Sequence, residues 1–206
     1  MIILRLYRCK IEFINGVTAK LTSFYSDEEL KRLGFQSVGN DVLVSQYARI
    51  YGAENISLGD HVRIDDFVVL SGHIEIGNYV HIAVDCALFA GKAGIVFSDF
   101  TGISSRVSVY AESDDYSGKS MTNPMVADAC KDTVSGKVVL GKHVVVGTGS
   151  TILPGVTIGE GCSVGSMTLV NHSLDPWGIY AGIPAKRIRE RSKELLKLEE
   201  KYYKAT

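Results

Sequence analysis

Aliphatic residues recur at every sixth position along most of this chain. Leu58, Ile64, Leu70, Ile76, Ile82 and Leu88 form one run, and Leu140, Val146, Ile152, Ile158, Val164 and Val170 form a second. Phe97, Ile103 and Val109 keep the step between the runs, and Val38, Val44 and Ile50 precede them. With roughly a quarter of residues Val, Ile or Leu, six consecutive hits arise by chance about once in a few thousand starting points. The fourth residue after each aliphatic is often small or β-branched, as at Val62, Val68, Cys86, Val107, Ser150, Cys162 and Thr168. Gly often follows the aliphatic directly, at Gly59, Gly77, Gly141, Gly147, Gly159 and Gly165. A period of six matches neither the 3.6 of a helix nor the 2 of an isolated strand. It describes a triangular coil of three six-residue sides. Each side is a short strand, and each corner is a turn that Gly, Asn or Asp can occupy. One coil cannot bury its own inner face, so stability has to come from stacking.

The period covers about residues 38–172 and breaks after Ile50, after Leu88 and after Val109. The last break is large. Residues 110–139 carry no period and read as an excursion from the coil, where long loops on rigid scaffolds place function. Ser26 followed by Glu29 is a capping box that predicts a helix over 26–33, before Gly34. Pro184 precedes a charged run, 186–203, in which Ile188, Leu195, Leu196 and Leu198 make a partial apolar stripe. This run is expected to be a C-terminal helix that covers the open end of the coil or packs on a neighbouring chain. The division expected is an N-terminal segment with a short helix over 1–37, a coiled domain over 38–176, and a C-terminal helical segment over 177–206.

Composition removes other classes. The 206 residues carry 22 Lys plus Arg against 23 Asp plus Glu, a net charge of -1. A general nucleic-acid binder needs a basic footprint, so none is expected here. Arg5, Arg8 and Lys10 interrupt the apolar start, which argues against a membrane span or a secretory signal and for a cytoplasmic protein. Cys9, Cys86, Cys130 and Cys162 form no close pair, so they read as small buried hydrophobes, and no metal site is expected. The stretch from Gly136 to Gly141-Lys142-His143 nearly matches a P-loop, but His stands where Ser or Thr should hold Mg²⁺. Gly147 and Gly149 lack the third Gly of a dinucleotide fingerprint.

The corner before the excursion and the excursion itself concentrate polar chemistry, with Ser104, Ser105, Arg106, Tyr110, Glu112, Asp114, Asp115, Tyr116 and Ser117. Four segments carry a resemblance: Ser23-Phe24-Tyr25-Ser26, Arg63-Ile64-Asp65-Asp66-Phe67, Ile103-Ser104-Ser105-Arg106 and Asp114-Asp115-Tyr116-Ser117-Gly118. Together with the six-residue repeat, the chain resembles the left-handed β-helix acyltransferases. It is most similar to those that N-acylate dTDP-4-amino-4,6-dideoxyglucose, the anthrose-pathway branch included. The similarity runs from about Ser23 to the C-terminal helix, and residues 1–22 carry no match.

The resemblance implies an all-β fold, a left-handed parallel β-helix with a protruding loop and a C-terminal α-helix. It also implies a homotrimer with sites between subunits. The reaction implied is transfer of an acetyl group from acetyl-CoA to the amine of a nucleotide-linked dideoxy-amino sugar, with no metal required because the thioester is already activated, for surface polysaccharide or O-antigen synthesis. Thr148 and Ser166, stacked one coil apart, would offer backbone groups to the pantetheine. Asn171 and His172 follow the last coil, and Lys186 and Arg189 would sit near the CoA phosphates. Trp177 and Tyr180 either stack on a base or cover the end of the coil.

The choice between amine and hydroxyl rests on histidine. The O-acetyltransferase branch of the resembled family uses a loop His as general base. This chain has His61, His73, His81, His143 and His172, none of them between Ser104 and Lys142. A sugar hydroxyl needs a base in the transition state. An amine titrating near ~8 has a useful neutral fraction unaided. Asp114 is therefore expected to orient the amine and take its proton, with Ser104 as a supporting hydrogen-bonder. Asp115, Tyr110 and His81 are expected to line the acceptor pocket. The alternatives are O-acetylation of a galactoside or glycan, with His81 or His143 as base, and a non-catalytic sugar-binding scaffold.

Overall fold

All the sixth-position residues from Leu58 to Val170 turn inward, each 4% exposed or less. The computed structural model describes residues 13–14, 17–18 and 23–203. Beyond a short antiparallel pair, Phe13–Ile14 with Val17–Thr18, the first 22 residues lie outside the described residues, Cys9 and the charges at Arg5, Arg8 and Lys10 among them. The architecture is a parallel β-solenoid of about seven turns.

Its three sides are continuous ladders. The first side stacks Val38, Leu58, Ile76, Phe97, Leu140 and Ile158 in register. The second stacks Val44, Ile64, Ile82, Ile103, Val146, Val164 and Tyr180. The third stacks Ile50, Leu70, Leu88, Val109, Ile152 and Val170. The repeat breaks at the three expected places, after Ile50, Leu88 and Val109, and every insertion falls at the corner between third and first sides, which leaves the ladders in register. Val38 in the N-terminal coil is an exception to full burial at 36% exposed, and among the described residues no strand stacks beyond it on that side.

The corner between first and second sides shows how the stack is held. The Asp60 carboxylate accepts from the Asn40 N–H at 2.6 Å, the Asn78 side-chain oxygen from the Asp60 N–H at 2.8 Å, and the Asp99 carboxylate from the Asn78 N–H at 2.7 Å. One position further on, His61, Tyr79, Phe100 and His143 all adopt left-handed backbone, with φ between 57° and 61°. That conformation costs a residue with a side chain about 1–2 kcal/mol. The rings repay part of it by stacking at centroid distances of 4.5, 4.8 and 5.2 Å. The turn-forming role expected for the glycines thus falls to aromatic residues here. Gly59, Gly77, Gly141, Gly147, Gly159 and Gly165 serve close approach instead: a Cβ on any of them would lie 2.5–3.0 Å from an atom of the next coil.

Both ends have helices. The capping box forms as expected: the Ser26 N–H donates to Glu29 Oε2 at 2.8 Å and opens α1 (Asp27–Arg32), whose Leu30 joins the core. At the C-terminus the expectation needs correction. Lys186–Glu190 is a strand, not the start of a helix, because Gly182 (φ +108°) turns the chain back against Gly178–Ala181. The helix α2 begins at Glu194 and ends at Tyr203. It does not cover the coil end. It lies along the first corner, where Tyr203 sets its edge against Tyr79 and Phe100 at 5.0 and 5.1 Å. The end is covered by the hairpin, with Tyr180 5% exposed, and by the Trp177 ring beneath Lys193 at 5.2 Å. Cys86 and Cys162 are buried as expected, but Cys130 is exposed on the excursion.

Buried Glu199 anchors α2. Its carboxylate lies 2.5 Å from Lys142 Nζ and 2.7 Å from His143 Nε2. The Lys142 ammonium, then His143, hold the Glu199 carboxyl below its ordinary value against the opposing effect of burial. A depressed acid stabilises docking above its unfolded pKa, and this contribution is lost as pH falls through the folded value. Glu199→Gln is expected to weaken α2 docking by about 1–3 kcal/mol at neutral pH. Amide protection across 194–203, taken relative to the intrinsic exchange rate at each pH, should fall in the native chain between pH 7 and 4 and start low, with a flatter profile, in the variant.

Candidate active site

The second corner, between second and third sides, gathers much of the expected donor site. Ser104 leaves the strand Gly102–Ile103, and its N–H donates to the Val146 carbonyl at 2.8 Å. The Cys86 thiol donates to the Ser104 carbonyl at 3.1 Å. Burial pushes that thiol up to about 11, so it stays protonated and remains a donor. On the next coil Thr148 Oγ1 donates to the Ser105 carbonyl at 2.6 Å, and the Thr148 carbonyl accepts from the Met167 N–H at 2.9 Å. Ser166 follows one coil on, in the ladder that pairs Val146 with Val164. Ala181 stacks on Gly165, and Lys186 pairs with Ala181. Ser104 and Lys186 therefore stand at the two ends of one column along this corner, and Thr148 and Ser166 lie one position further along their coils, in line with Ser105.

The other expected donor residues stand apart from that column. Arg189 pairs with Ile179, further along the exposed hairpin strand. Asn171 and His172 lie past the third side and bond each other at 2.9 Å.

On the second side a polar chain lies one strand from Ser104. Arg63 Nε donates to Asp65 Oδ1 at 2.7 Å, and His81 Nε2 meets Asp65 Oδ2 at 2.8 Å. His81 is half exposed, so one ring edge is oriented by a carboxylate while the other faces outward. His81 is among the residues expected at the acceptor pocket, whereas Arg63 and Asp65 carry no expected role from sequence. Neighbouring coils place Arg63, His81, Gly102 and Val145 in one row. His143 is different: it is buried between Phe100 and Glu199, which makes it part of the α2 anchor and a poor base for the alternative chemistry.

The excursion is an antiparallel hairpin, Glu112–Asp114 with Thr133–Ser135, tied to the coil where Glu112 Oε1 accepts from the Lys92 N–H at 2.9 Å. Asp114 pairs with Thr133, and its carboxylate takes no hydrogen bond among the described residues. Asp115 behaves otherwise. Its carboxylate accepts from the Ser117 N–H at 2.8 Å, the Ser117 hydroxyl at 2.7 Å and the Ser120 hydroxyl at 3.2 Å. The Ser117 N–H and hydroxyl hold it below the ordinary carboxylate value. Asp115 braces the loop in this chain. Tyr110 stacks on Phe89 with centroids 5.3 Å apart. Within one chain Ser104 and Asp114 do not meet: the strand Ser108–Tyr110, a full side of the prism, separates them.

Between the second side and α2 lies a cleft of about 420 Å³, walled by His81, Gly102 and Val145 on the prism and Leu195, Leu198 and Tyr203 on the helix. The sequence marks His81 as polar chemistry and Leu195 and Leu198 as part of an apolar stripe, whereas Gly102 and Val145 carry no signal until the coil register is known.

A solenoid of six-residue sides with a polar hairpin raised over one corner is the architecture of a hexapeptide-repeat transferase. Residues 137–172 match the family model "Bacterial transferase hexapeptide (six repeats)". A dTDP-4-amino-4,6-dideoxy-D-glucose acyltransferase of Escherichia coli is 47% identical over 179 residues, covering 85% of this chain and 93% of that protein. AntD, an N-acyltransferase from Bacillus cereus solved with dTDP and 3-hydroxybutyryl-CoA, superposes with a TM-score of 0.88 at 49% identity over 90% of this chain and 98% of that one. A putative lipopolysaccharide biosynthesis O-acetyl transferase of E. coli K12 is 30% identical over 68% of this chain and 71% of that protein. The chain belongs to the hexapeptide-repeat β-helix acyltransferases, close to the dTDP-4-amino-4,6-dideoxyglucose N-acyltransferases. Among the described residues, no helix is long and apolar enough to cross a membrane.

Proposed function

We propose that this protein transfers an acyl group from acyl-CoA to the 4-amino group of dTDP-4-amino-4,6-dideoxyglucose, as a step toward surface polysaccharide. One observation carries the reading. AntD variants have been solved with changes at a serine and at an aspartate ten positions later, two of the serine variants with that amino sugar and CoA bound. Ser104 and Asp114 have the same spacing here, on two polar elements that a prism side keeps apart. In a homotrimer the hairpin of one subunit reaches the second corner of its neighbour, and the two residues meet there. CoA lies along that corner, with its phosphates toward Lys186 and Arg189, its pantetheine past Ser166 and Thr148, and its thioester at Ser104. The amine nitrogen attacks the thioester carbonyl, the C–S bond breaks, and the proton shed by nitrogen passes by way of Asp114 to the departing thiolate.

The test is thiol release from acetyl-CoA and 3-hydroxybutyryl-CoA with the amino sugar and with its 4-hydroxy analogue. Acetyl is the donor expected from the sequence. Turnover of the amino sugar, far faster than the analogue, is the expected result. Faster turnover of the hydroxyl compound would favour the second reading, O-acylation, for which the Asp65-oriented His81 ring is the supporting feature. Removing both Lys186 and Arg189 charges is expected to raise the acyl-CoA KM about 10-fold with a smaller change in kcat, the signature of lost uniform binding. An unchanged donor KM would place the phosphates elsewhere.

A further inference from the structure

Gly102 breaks a pattern. Every other described glycine has a physical reason: either a positive φ, or an atom within 3.0 Å of where a Cβ would stand, in a neighbouring coil or, for Gly178, in the Tyr180 ring. Gly102 has neither. A Cβ there would meet only the His81 carbonyl oxygen, at 4.0 Å. The position is the outward-facing member of a strand, where β-branched residues fit best and Gly costs about 0.5–1 kcal/mol. Its register neighbour on the next coil is Val145. Nor does Gly102 admit α2, since no atom of α2 lies within 4 Å of the added Cβ. What the missing side chain leaves is space, and that space is the floor of the cleft under α2.

The cleft suits an apolar guest. Leu195, Leu198, Tyr203 and Val145 wall it, and the cations near it are engaged. Lys142 is bound to Glu199, while Arg191 Nη1 donates to the carbonyls of His143, Gly161 and Cys162 at 2.7, 3.1 and 3.2 Å. A phosphate or nucleotide finds no free charge there. Gly102 precedes Ser104 by two residues, about 7 Å along extended backbone. With the thioester at Ser104, which rests on the donor path proposed above, an acetyl methyl one bond from the carbonyl falls short of the cleft and a four-carbon chain enters it.

We propose that Gly102 is the specificity-determining residue for the acyl chain of the donor, keeping open a cleft that accepts chains of about four carbons. The full-length protein is assayed with acetyl-, butyryl- and 3-hydroxybutyryl-CoA in native, Gly102→Ala, Gly102→Val and Leu198→Trp forms. Gly102→Val is expected to lower kcat/KM for the four-carbon donors about 10-fold or more while acetyl transfer changes little, the size of effect that a filled apolar pocket exerts. Leu198→Trp, narrowing the cleft from the opposite wall, should act the same way. Gly102→Ala reports on folding and should melt at or above the native temperature.

Calorimetric binding of butyryl-CoA against CoA, with no sugar present, separates this proposal from the acceptor reading. If no amino sugar is acylated but Gly102→Val still abolishes the preference for butyryl-CoA, the acceptor reading falls and the cleft stands. A chain-length profile identical in native and Gly102→Val protein overturns the role of Gly102. So does native binding that ignores chain length.

Discussion

Asp114→Asn is expected to lower kcat/KM for the amino sugar by about 100-fold, the scale on which a positioned proton acceptor contributes. The substitution should leave the fold unchanged. Asp114 sits at the end of the hairpin pairing, its backbone opposite Thr133, and its carboxylate takes no hydrogen bond among the described residues. The hairpin is fixed instead at its base by Glu112 on the Lys92 N–H, and at its tip by Asp115 on Ser117 and Ser120. Asn keeps the shape and one acceptor oxygen but cannot carry away a proton. The pH profile adds a second readout. The native rate should climb with pH as the amine, titrating near ~8, loses its proton. Full activity in Asp114→Asn would remove Asp114 from the mechanism. A native rate that falls with rising pH would remove the amine as nucleophile.

The contrast between Asp114 and Asp115 shows where sequence reading stops. Adjacent carboxylates in one polar loop look equivalent along the chain. Only the folded loop shows one tied into a turn and the other left open. The solenoid itself was legible because its signal is one of period. Each inward residue repeats the same environment, so Leu58 and Val170 obey one rule although many coils separate them. The aromatic stack at the first corner obeys it too, but His61, Tyr79, Phe100 and His143 are spaced by coil insertions of different length, which hides their alignment until register is known. The run 186–203 misled for a physical reason. Its charge and partial stripe match a helix, yet the turn at Gly182 returns Lys186–Glu190 to an open sheet edge, and the pairing gained there overrides local preference. The donor column was readable in part: Thr148 and Ser166 follow from the repeat, whereas Cys86 beneath Ser104, and Asp65 behind His81, are contacts between coils.

Gly147→Ala is expected to destabilise the protein by about 3 kcal/mol, the upper part of the usual range for overpacking. An added Cβ would stand 2.5 Å from the Ser166 nitrogen, 2.8 Å from the Gly165 carbonyl carbon and 2.9 Å from Ser166 Cα. All three are backbone atoms, with no side chain to swing aside, so relief requires the two coils to part. That parting would break the bond from the Gly147 N–H to the Val164 carbonyl, now 2.7 Å, and shift Thr148 relative to Ser166. The donor KM should therefore rise with the loss of stability. Gly102→Ala makes the comparison sharp, because the same methyl added one coil earlier meets only open space and should be neutral or mildly stabilising. Chemical denaturation of both variants at one protein concentration is the measurement. Equal midpoints would mean that coil spacing at the second corner is loose, and that the glycine after each aliphatic is not there to let the coils close.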